Sequence, residues 1–386
     1  RMLRNLTLAA RSVLYNPQVS VRSFSAQADF EKAQKNLKTL KEEPDNDVKL
    51  QLYGLFKQAT AGDVQGKRPG MMDFVGRAKY DAWNTLKGQT QDEARANYAK
   101  LVGGLISEEA SAAPEPTGPS IEGLENVDGL SVTREGKVFK IALNRPKKFN
   151  ALTLEMYQGI QKALEVSNND KSTSITVITA NGSYYCAGND LTNFKAAAGG
   201  TKEQIADMAN TAKVIMKDYV NAYINHEKPL IALINGPAVG IAVTVLGMFD
   251  YVIATDKASF HTPFAPLGQS PEGVSSYTFP LIMGSLRASE MLLVCKKISA
   301  QTAKDYGLVN EVVPDAEFQS HAQKTVEAFS QLPPETLRIN KKLLRSLHKE
   351  KLLEVNNIEA DQICERWQSK ECHQAIAAFM TKGAKK

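Results

Sequence analysis

Leu230 to Gly273 is the stretch that most narrows what this chain can become. It reads LIALINGPAVGIAVTVLGMFDYVIATDKASFHTPFAPLGQSPEG. Leu230–Ile234 is a short, wholly apolar run closed off by Pro229 and by Asn235-Gly236-Pro237, the pattern of a buried strand ending in a tight turn. Ala238 to Phe249 is apolar nearly all round and too short to cross a bilayer, which predicts a buried core helix. Asp250 to Thr255 predicts the next strand. The first N–H groups of a helix have no partner within it and sit at the positive end of its dipole. A point where strand, Gly-Pro turn and helix meet therefore suits an oxyanion. The plainer reading is a strand–turn–helix whose glycines only permit close packing.

A second stretch repeats the plan. Ser174 to Ala180 is a Val/Ile/Thr strand, and Asn181-Gly182-Ser183-Tyr184-Tyr185-Cys186-Ala187-Gly188-Asn189-Asp190-Leu191 follows it as a small-residue turn and a helix start. Two such turns can offer two N–H donors to one oxygen. The pair YYCAGNDL and INGPAVGIA resembles the two oxyanion-hole segments of the crotonase (enoyl-CoA hydratase/isomerase) superfamily, and NRPKKFNAL at Asn144 to Leu152 resembles its entry turn. The resemblance covers roughly residues 128 to 386. It implies an α/β crotonase domain, a β-β-α spiral with a helical C-terminal region, and a trimer as its usual assembly. It also implies that the N–H groups of Ala187 and Ile241 hold the thioester oxygen of an acyl-CoA, with Gly188, Asn189, Asp190, Leu191 and Gly240 around the substrate. Asn189 and Asp190 can equally cap the helix that follows, and for Asp190 the cap is the preferred reading.

The N-terminal third has a different texture. Phe30, Ala33, Leu37 and Leu40 share one helical face, Glu42 to Asn46 breaks it, and three further helical segments follow over Val48–Thr60, Met71–Leu86 and Asp92–Leu105. That predicts a four-helix bundle. Tyr53 to Thr60, Arg68-Pro69-Gly70 and Lys79 to Asn84 resemble the acyl-CoA-binding protein family, without a gap from Phe30 to about Leu105. The resemblance implies ligand contacts at Lys38, Tyr53, Lys57, Lys79 and Tyr98, with Gly54, Leu55 and Phe56 in the same segment. Lysines suit the phosphates of coenzyme A and aromatic rings suit adenine. Phe56 and Tyr80 depart from the family's usual Tyr and Trp. Taken singly, a lysine on a helix is usually solvated, and Trp83 reads as core.

The expected layout is thus residues 1–28 as a leader, 29–105 as the bundle, 106–126 as a mobile, acidic, Pro-rich linker, and 127–386 as the crotonase-type domain. The leader is Arg-rich, with no acid before Asp29, which is the composition of a mitochondrial transit peptide, and Arg22-Ser23-Phe24-Ser25 resembles a matrix-processing site. Family resemblance points instead to the peroxisome, although the chain ends Gly383-Ala384-Lys385-Lys386 rather than in a Ser-Lys-Leu-type signal. The net charge of +5 is a leader effect: 47 basic residues less the four leader arginines leave 43 against 42 acidic ones. That balance argues against broad nucleic-acid binding. No apolar run has membrane-spanning length. The four cysteines (Cys186, Cys295, Cys364, Cys372) lack metal-ligand spacing and read as reduced thiols. No metal and no cofactor is expected, since coenzyme A is part of the substrate.

In the crotonase-type domain, Leu130–Thr133 and Val138–Leu143 predict a hairpin, and Thr153 caps a helix running to about Asn168. Lys195–Asn225 predicts a helical rim over the pocket. Helices are expected at Ser299–Gly307 and Asp315–Leu332, then a long tail from Glu335. A thioester held by two N–H groups is primed to lose a Cα proton, and the outcome depends on the acid–base groups. By resemblance, the two hydratase glutamates fall on Thr244 and Phe264, neither of which can act as a base. Glu272, in Ser270-Pro271-Glu272-Gly273, resembles the single catalytic base of the Δ3,Δ2-enoyl-CoA isomerases. Phe260, Phe264 and Leu267 are expected to keep its pocket dry and raise its pKa. His261 has no partner spacing and reads as a satisfied loop residue. The expected activity is conversion of 3-enoyl-CoA to trans-2-enoyl-CoA. The alternatives are a hydratase or other crotonase-type enzyme, and a non-catalytic acyl-CoA carrier.

Overall fold

The computed structural model describes residues 17–40, 43–44, 46–70, 73–111, 121, 123–124, 127–193 and 200–383. The chain divides into two compact units between Ala110 and Ser111. The N-terminal unit is four helices: α1 Pro17–Leu37, α2 Asn46–Ala61, α3 Phe74–Asn84 and α4 Gln91–Ser111. Phe30, Ala33, Leu52, Leu55, Ala59, Ala94, Tyr98 and Val102 make its core. α1 begins twelve residues before the expected start at Asp29, inside the leader-like segment. Pro17 suits a first helical position, and no Gly or Pro interrupts the run from there to Leu37. α4 likewise continues past Leu105 into the expected linker, because Ile106 and the residues up to Ser111 offer it no breaker.

The second unit runs β1 Leu130–Glu135, β2 Val138–Leu143, α5 Leu154–Asn169, β3 Ile175–Ala180, α6 Lys202–Ile224, β4 Leu230–Ile234, β5 Ala238–Val239, α7 Ile241–Thr244, β6 Tyr251–Thr255, β7 Ser259–His261, α8 Ser275–Met283, α9 Ser285–Leu292, β8 Ile298–Ser299, α10 Ala300–Asp305, β9 Glu311–Val313, α11 Phe318–Ser330, α12 Pro334–Trp367 and α13 Lys370–Gly383, with short 3-10 turns between. The main sheet has the order β1-β2-β3-β4-β6-β9, antiparallel only between β1 and β2, and a small sheet β5-β7-β8 stands apart from it. The β3 run, Ile-Thr-Val-Ile-Thr-Ala, is buried almost throughout because both faces are covered. Ile178 and Ala180 belong to the main core, while Ile175 and Val177 face the α11 side with Val326 and Phe329. Thr153 caps α5 as expected, accepting the N–H of Met156.

Three expectations change. Ile121 and Leu124 are buried in the main core, so that part of the expected mobile linker is held by its two large apolar side chains; residues 112–120 lie outside the described residues. The expected core helix over Ala238–Phe249 is instead a two-residue strand, one α turn and a 3-10 turn. Gly240 forces the break with φ +59° and ψ −125°, a conformation that favours glycine. The long tail is two helices, interrupted at Gln368-Ser369.

Candidate active site

Three turns at the C-terminal ends of β2, β3 and β4 are tied together mainly by buried asparagines. Asn150, fully buried and at φ 55°, donates from Nδ2 to the carbonyls of Asn181 and Tyr184, both at 2.8 Å, and accepts the N–H of Arg145 at 2.8 Å. Asn181 donates to Asn144 Oδ1 at 2.9 Å, and Asn235 to the Gly182 carbonyl at 2.7 Å. Gly236 lets the third turn lie on the second, since a Cβ there would collide with the Ser183 carbonyl. A parallel bridge between Cys186 and Ala238 then sets the two expected donor segments side by side. The NRPKKFNAL turn is thus a clamp that aligns the other two.

The two expected donors differ in state. The N–H of Ile241, the first residue of α7, meets no acceptor among the described residues. The N–H of Ala187 donates to the Phe149 carbonyl at 2.9 Å. Phe149 and Asn150 are both left-handed, and that tight turn brings the carbonyl over. Ala187 is therefore not a free donor in this state. The Gly188 N–H meets only Cys186 Sγ, a weak acceptor, at 3.4 Å. Asp190 accepts the N–H of Thr192 at 2.9 Å and pairs with Arg145 at 3.0 Å, which is its capping role with a salt bridge added. Leu191 opens the short 3-10 turn beyond it.

Glu272 is 7% exposed. It faces a narrow cavity of about 30 Å³ walled by Leu154 and Tyr157 of α5, Asn189 and Asn193 of the β3 turn, Met208, Ala212, Ile215 and Met216 of α6, and Trp367 of α12. No described residue donates a hydrogen bond to its carboxylate. Burial, and secondarily the charge of Glu359, push the Glu272 carboxyl up to about 8. The expected wall residues are elsewhere. Phe260 and Phe264 are main-core side chains, and Leu267 does not line the cavity; its turn ends at Gly268, packed against Cys372 of α13. The side chains that do form the wall come mostly from α6 and α12, whose helical faces are apolar without any motif to mark them. Thr244 is fully buried, donates to the Ile241 carbonyl at 3.2 Å and packs on Gly273. The Nε2 of His261 meets the Cys295 carbonyl at 3.0 Å, and the His261 carbonyl holds the Gly240 N–H at 2.8 Å, so it is the satisfied residue expected.

In the N-terminal unit Lys79 Nζ lies 5.3 Å from the Tyr53 ring centre, and Lys57 Nζ 4.9 Å from that of Trp83. Trp83 Nε1 donates to the Gly62 carbonyl at 2.9 Å, so it fixes the end of α2 while presenting a face to Lys57. Tyr98 is buried edge-on to Phe30, and Phe56 is exposed. Lys38 is exposed just beyond α1. Leu55 is core and Gly54 is a contact point, where a Cβ would come 2.7 Å from the Ala82 carbonyl. Their place in the predicted contact set is therefore packing. A groove of about 460 Å³ between α1 and α4, lined partly by Lys32, Asn36 and Ala99, contains none of Tyr53, Lys57 or Lys79. Among the described residues no cluster of His, Cys, Asp or Glu could hold a metal ion, and no helix is long and apolar enough to cross a membrane.

A parallel sheet whose strand-end turns offer N–H groups beside a buried carboxylate is the architecture of an acyl-thioester enzyme. The sequence model of the enoyl-CoA hydratase/isomerase family matches residues 133–386, and the chain belongs to that family. The acyl-CoA-binding protein model matches residues 27–102. Among curated relatives, enoyl-CoA delta isomerase 2 of Rattus norvegicus is 47% identical over 361 residues, 94% of this chain and 91% of that protein. Enoyl-CoA delta isomerase 3, peroxisomal, of Mus musculus is 42% identical over 318 residues, 82% of this chain and 98% of that one. The crystal structure of an enoyl-CoA hydratase/isomerase from Pseudoalteromonas atlantica aligns with a TM-score of 0.60 at 30% identity, covering 66% of this chain and 98% of its own.

Proposed function

We propose that the C-terminal unit converts 3-cis- and 3-trans-enoyl-CoA to trans-2-enoyl-CoA in the β-oxidation of unsaturated fatty acids, with Glu272 as the only base. Glu272 removes a proton from C2. The electron pair shifts toward the thioester, the double bond moves from C3–C4 to C2–C3, and the same carboxyl returns its proton at C4. The negative charge on the dienolate oxygen is held by the Ile241 N–H, and by the Ala187 N–H once it turns from, or is shared with, the Phe149 carbonyl. The observation that carries this reading is the buried, donor-free Glu272 carboxylate in an apolar cavity. A base that must carry a proton from one carbon to the next needs such a place, where water cannot take the proton. The names of the 47% and 42% identical relatives support the same activity. Hydration would need a second carboxylate to place water, and Thr244 and Phe264 supply none.

The N-terminal unit supports acyl-CoA binding through Tyr53, Lys57, Lys79 and Lys38, and we assign residues 29–105 to it and 127–386 to the isomerase. Exposed Leu281, Leu286, Leu344 and Leu347 support self-association, with Leu281 and Leu344 lining one groove. Sedimentation velocity should give a trimer. The arginine-rich leader supports mitochondrial delivery, whereas the mouse relative is named peroxisomal; imaging the tagged chain decides between them.

The test is an assay on 3-hexenoyl-CoA and a longer 3-enoyl-CoA, coupled through hydratase and dehydrogenase, with the hydratase withheld in a parallel run. Signal only when hydratase is added supports the isomerase. Signal in both runs identifies a hydratase. Tight binding with no signal in either identifies a carrier.

A further inference from the structure

The turn that carries Glu272 is made of conformations that do not hold themselves. Gly273 (φ 66°) and Val274 (φ 57°) are both left-handed, and for a β-branched residue that is strained. α8 begins immediately after, and its N-cap, Val274, has no side-chain oxygen for the orphan N–H groups. Those groups are taken by Glu359 of α12, 85 residues beyond Val274. One carboxylate oxygen accepts the Val274 N–H at 2.6 Å, and the other accepts the Ser276 N–H at 2.9 Å. Glu359 is 5% exposed. A neutral amide or hydroxyl would also accept an N–H here. A buried carboxylate is costlier to keep, and what it adds is charge.

We infer that Glu359 is a positioning residue for the proposed base: it holds the turn that aims Glu272, and its buried negative charge keeps Glu272 a strong proton acceptor. This rests on the reading of Glu272 as the base. Among the described residues, the titratable side chains set against Glu272 are Tyr157 from α5 and Glu359 from α12; the other walls carry the Asn189 and Asn193 amides and apolar groups. Among the described residues no cation pairs with Glu359, whose carboxyl is raised by burial and held back by its hydrogen bonds to Val274 and Ser276. The Lys213–Asp361 pair further along α12 faces solvent. Like charges in a low dielectric raise each other's proton affinity, so the Glu359 charge works in the direction a C2 deprotonation needs.

The test compares Glu359→Gln and Glu359→Asp with the parent chain across pH 5.5–9.5, kcat and KM being followed separately. Glu359→Gln keeps an acceptor oxygen but loses the charge. Its acid limb of kcat should move down by about one pH unit, so that the ratio of the rate at pH 6 to that at pH 9 rises about tenfold even if the maximum falls. Glu359→Asp keeps the charge but withdraws the oxygens, so kcat should drop several-fold with the limb and KM in place. An unmoved limb in Glu359→Gln overturns the electrostatic part, and unchanged kcat in Glu359→Asp overturns the positioning part; the second variant stands alone if the first fails to fold. Glu272→Gln is run alongside. If it keeps activity, the base assignment itself has failed; if it is dead while Glu359→Gln behaves as the parent, only the present inference has.

Discussion

The two units meet the same class of ligand with opposite chemistries. In the bundle the candidate contacts are side chains on the surface, with lysine ammonium groups poised beside aromatic rings on α2 and α3. In the C-terminal unit they are backbone N–H groups and one buried carboxylate. Surface lysines bind a phosphate by charge and stay solvated without it. A buried carboxylate and an unpaired N–H are costly to maintain, and they are useful only where charge develops during a reaction. The contrast separates a unit suited to holding a ligand from one suited to changing it.

The sharpest way to break that contrast is Glu272→Gln. Turnover should fall by about 10³-fold or more, while the KM for the 3-enoyl-CoA changes little, because the lost group acts on a proton and not on binding. The next test is pH. With the carboxyl raised to about 8, Glu272 is protonated below that pH and cannot accept the C2 proton. The rate should therefore rise with pH up to about 8, and fall about tenfold for each unit below it. A flat profile between pH 6 and 8 would place the titrating base elsewhere. Third, calorimetry with an acyl-CoA should show two binding phases, and Lys57→Ala combined with Lys79→Ala should weaken one of them by about tenfold and leave the other as it is. Weakening of both phases would mean the units do not bind independently. The smallest effect should come from Trp367→Ala. Removing the indole lengthens the cavity, so kcat/KM for a long 3-enoyl-CoA should rise a few-fold relative to 3-hexenoyl-CoA.

What could be read from the residues follows the same division. The bundle's candidate contacts are side chains within a motif, so the family resemblance picks out Tyr53, Lys57 and Lys79 in the sequence, although Leu55 in the same motif is core. The backbone donors could be read only through their turns. Gly240 signals a special conformation, yet nothing in YYCAGNDL says that the Ala187 N–H would find the Phe149 carbonyl. That depends on two consecutive left-handed residues at Phe149 and Asn150, neither of them glycine. The cavity wall was the least legible part. Met208, Ile215, Met216 and Trp367 are ordinary apolar positions on long helices, and only the docking of α6 and α12 turns them toward Glu272. Glu359 is equally silent, a helix glutamate whose partners are backbone groups far earlier in the chain.

Glu359 and Trp367 also have a consequence in time. A ribosome releases the bundle first, and domains generally fold as they emerge. Every strand of the sheet and the Glu272 turn itself are synthesised before α12, which brings the carboxylate that anchors the turn and the indole that closes the cavity. A nascent chain can therefore hold its first ligand while its chemical centre is still unfinished, and α12, made after every strand, completes it.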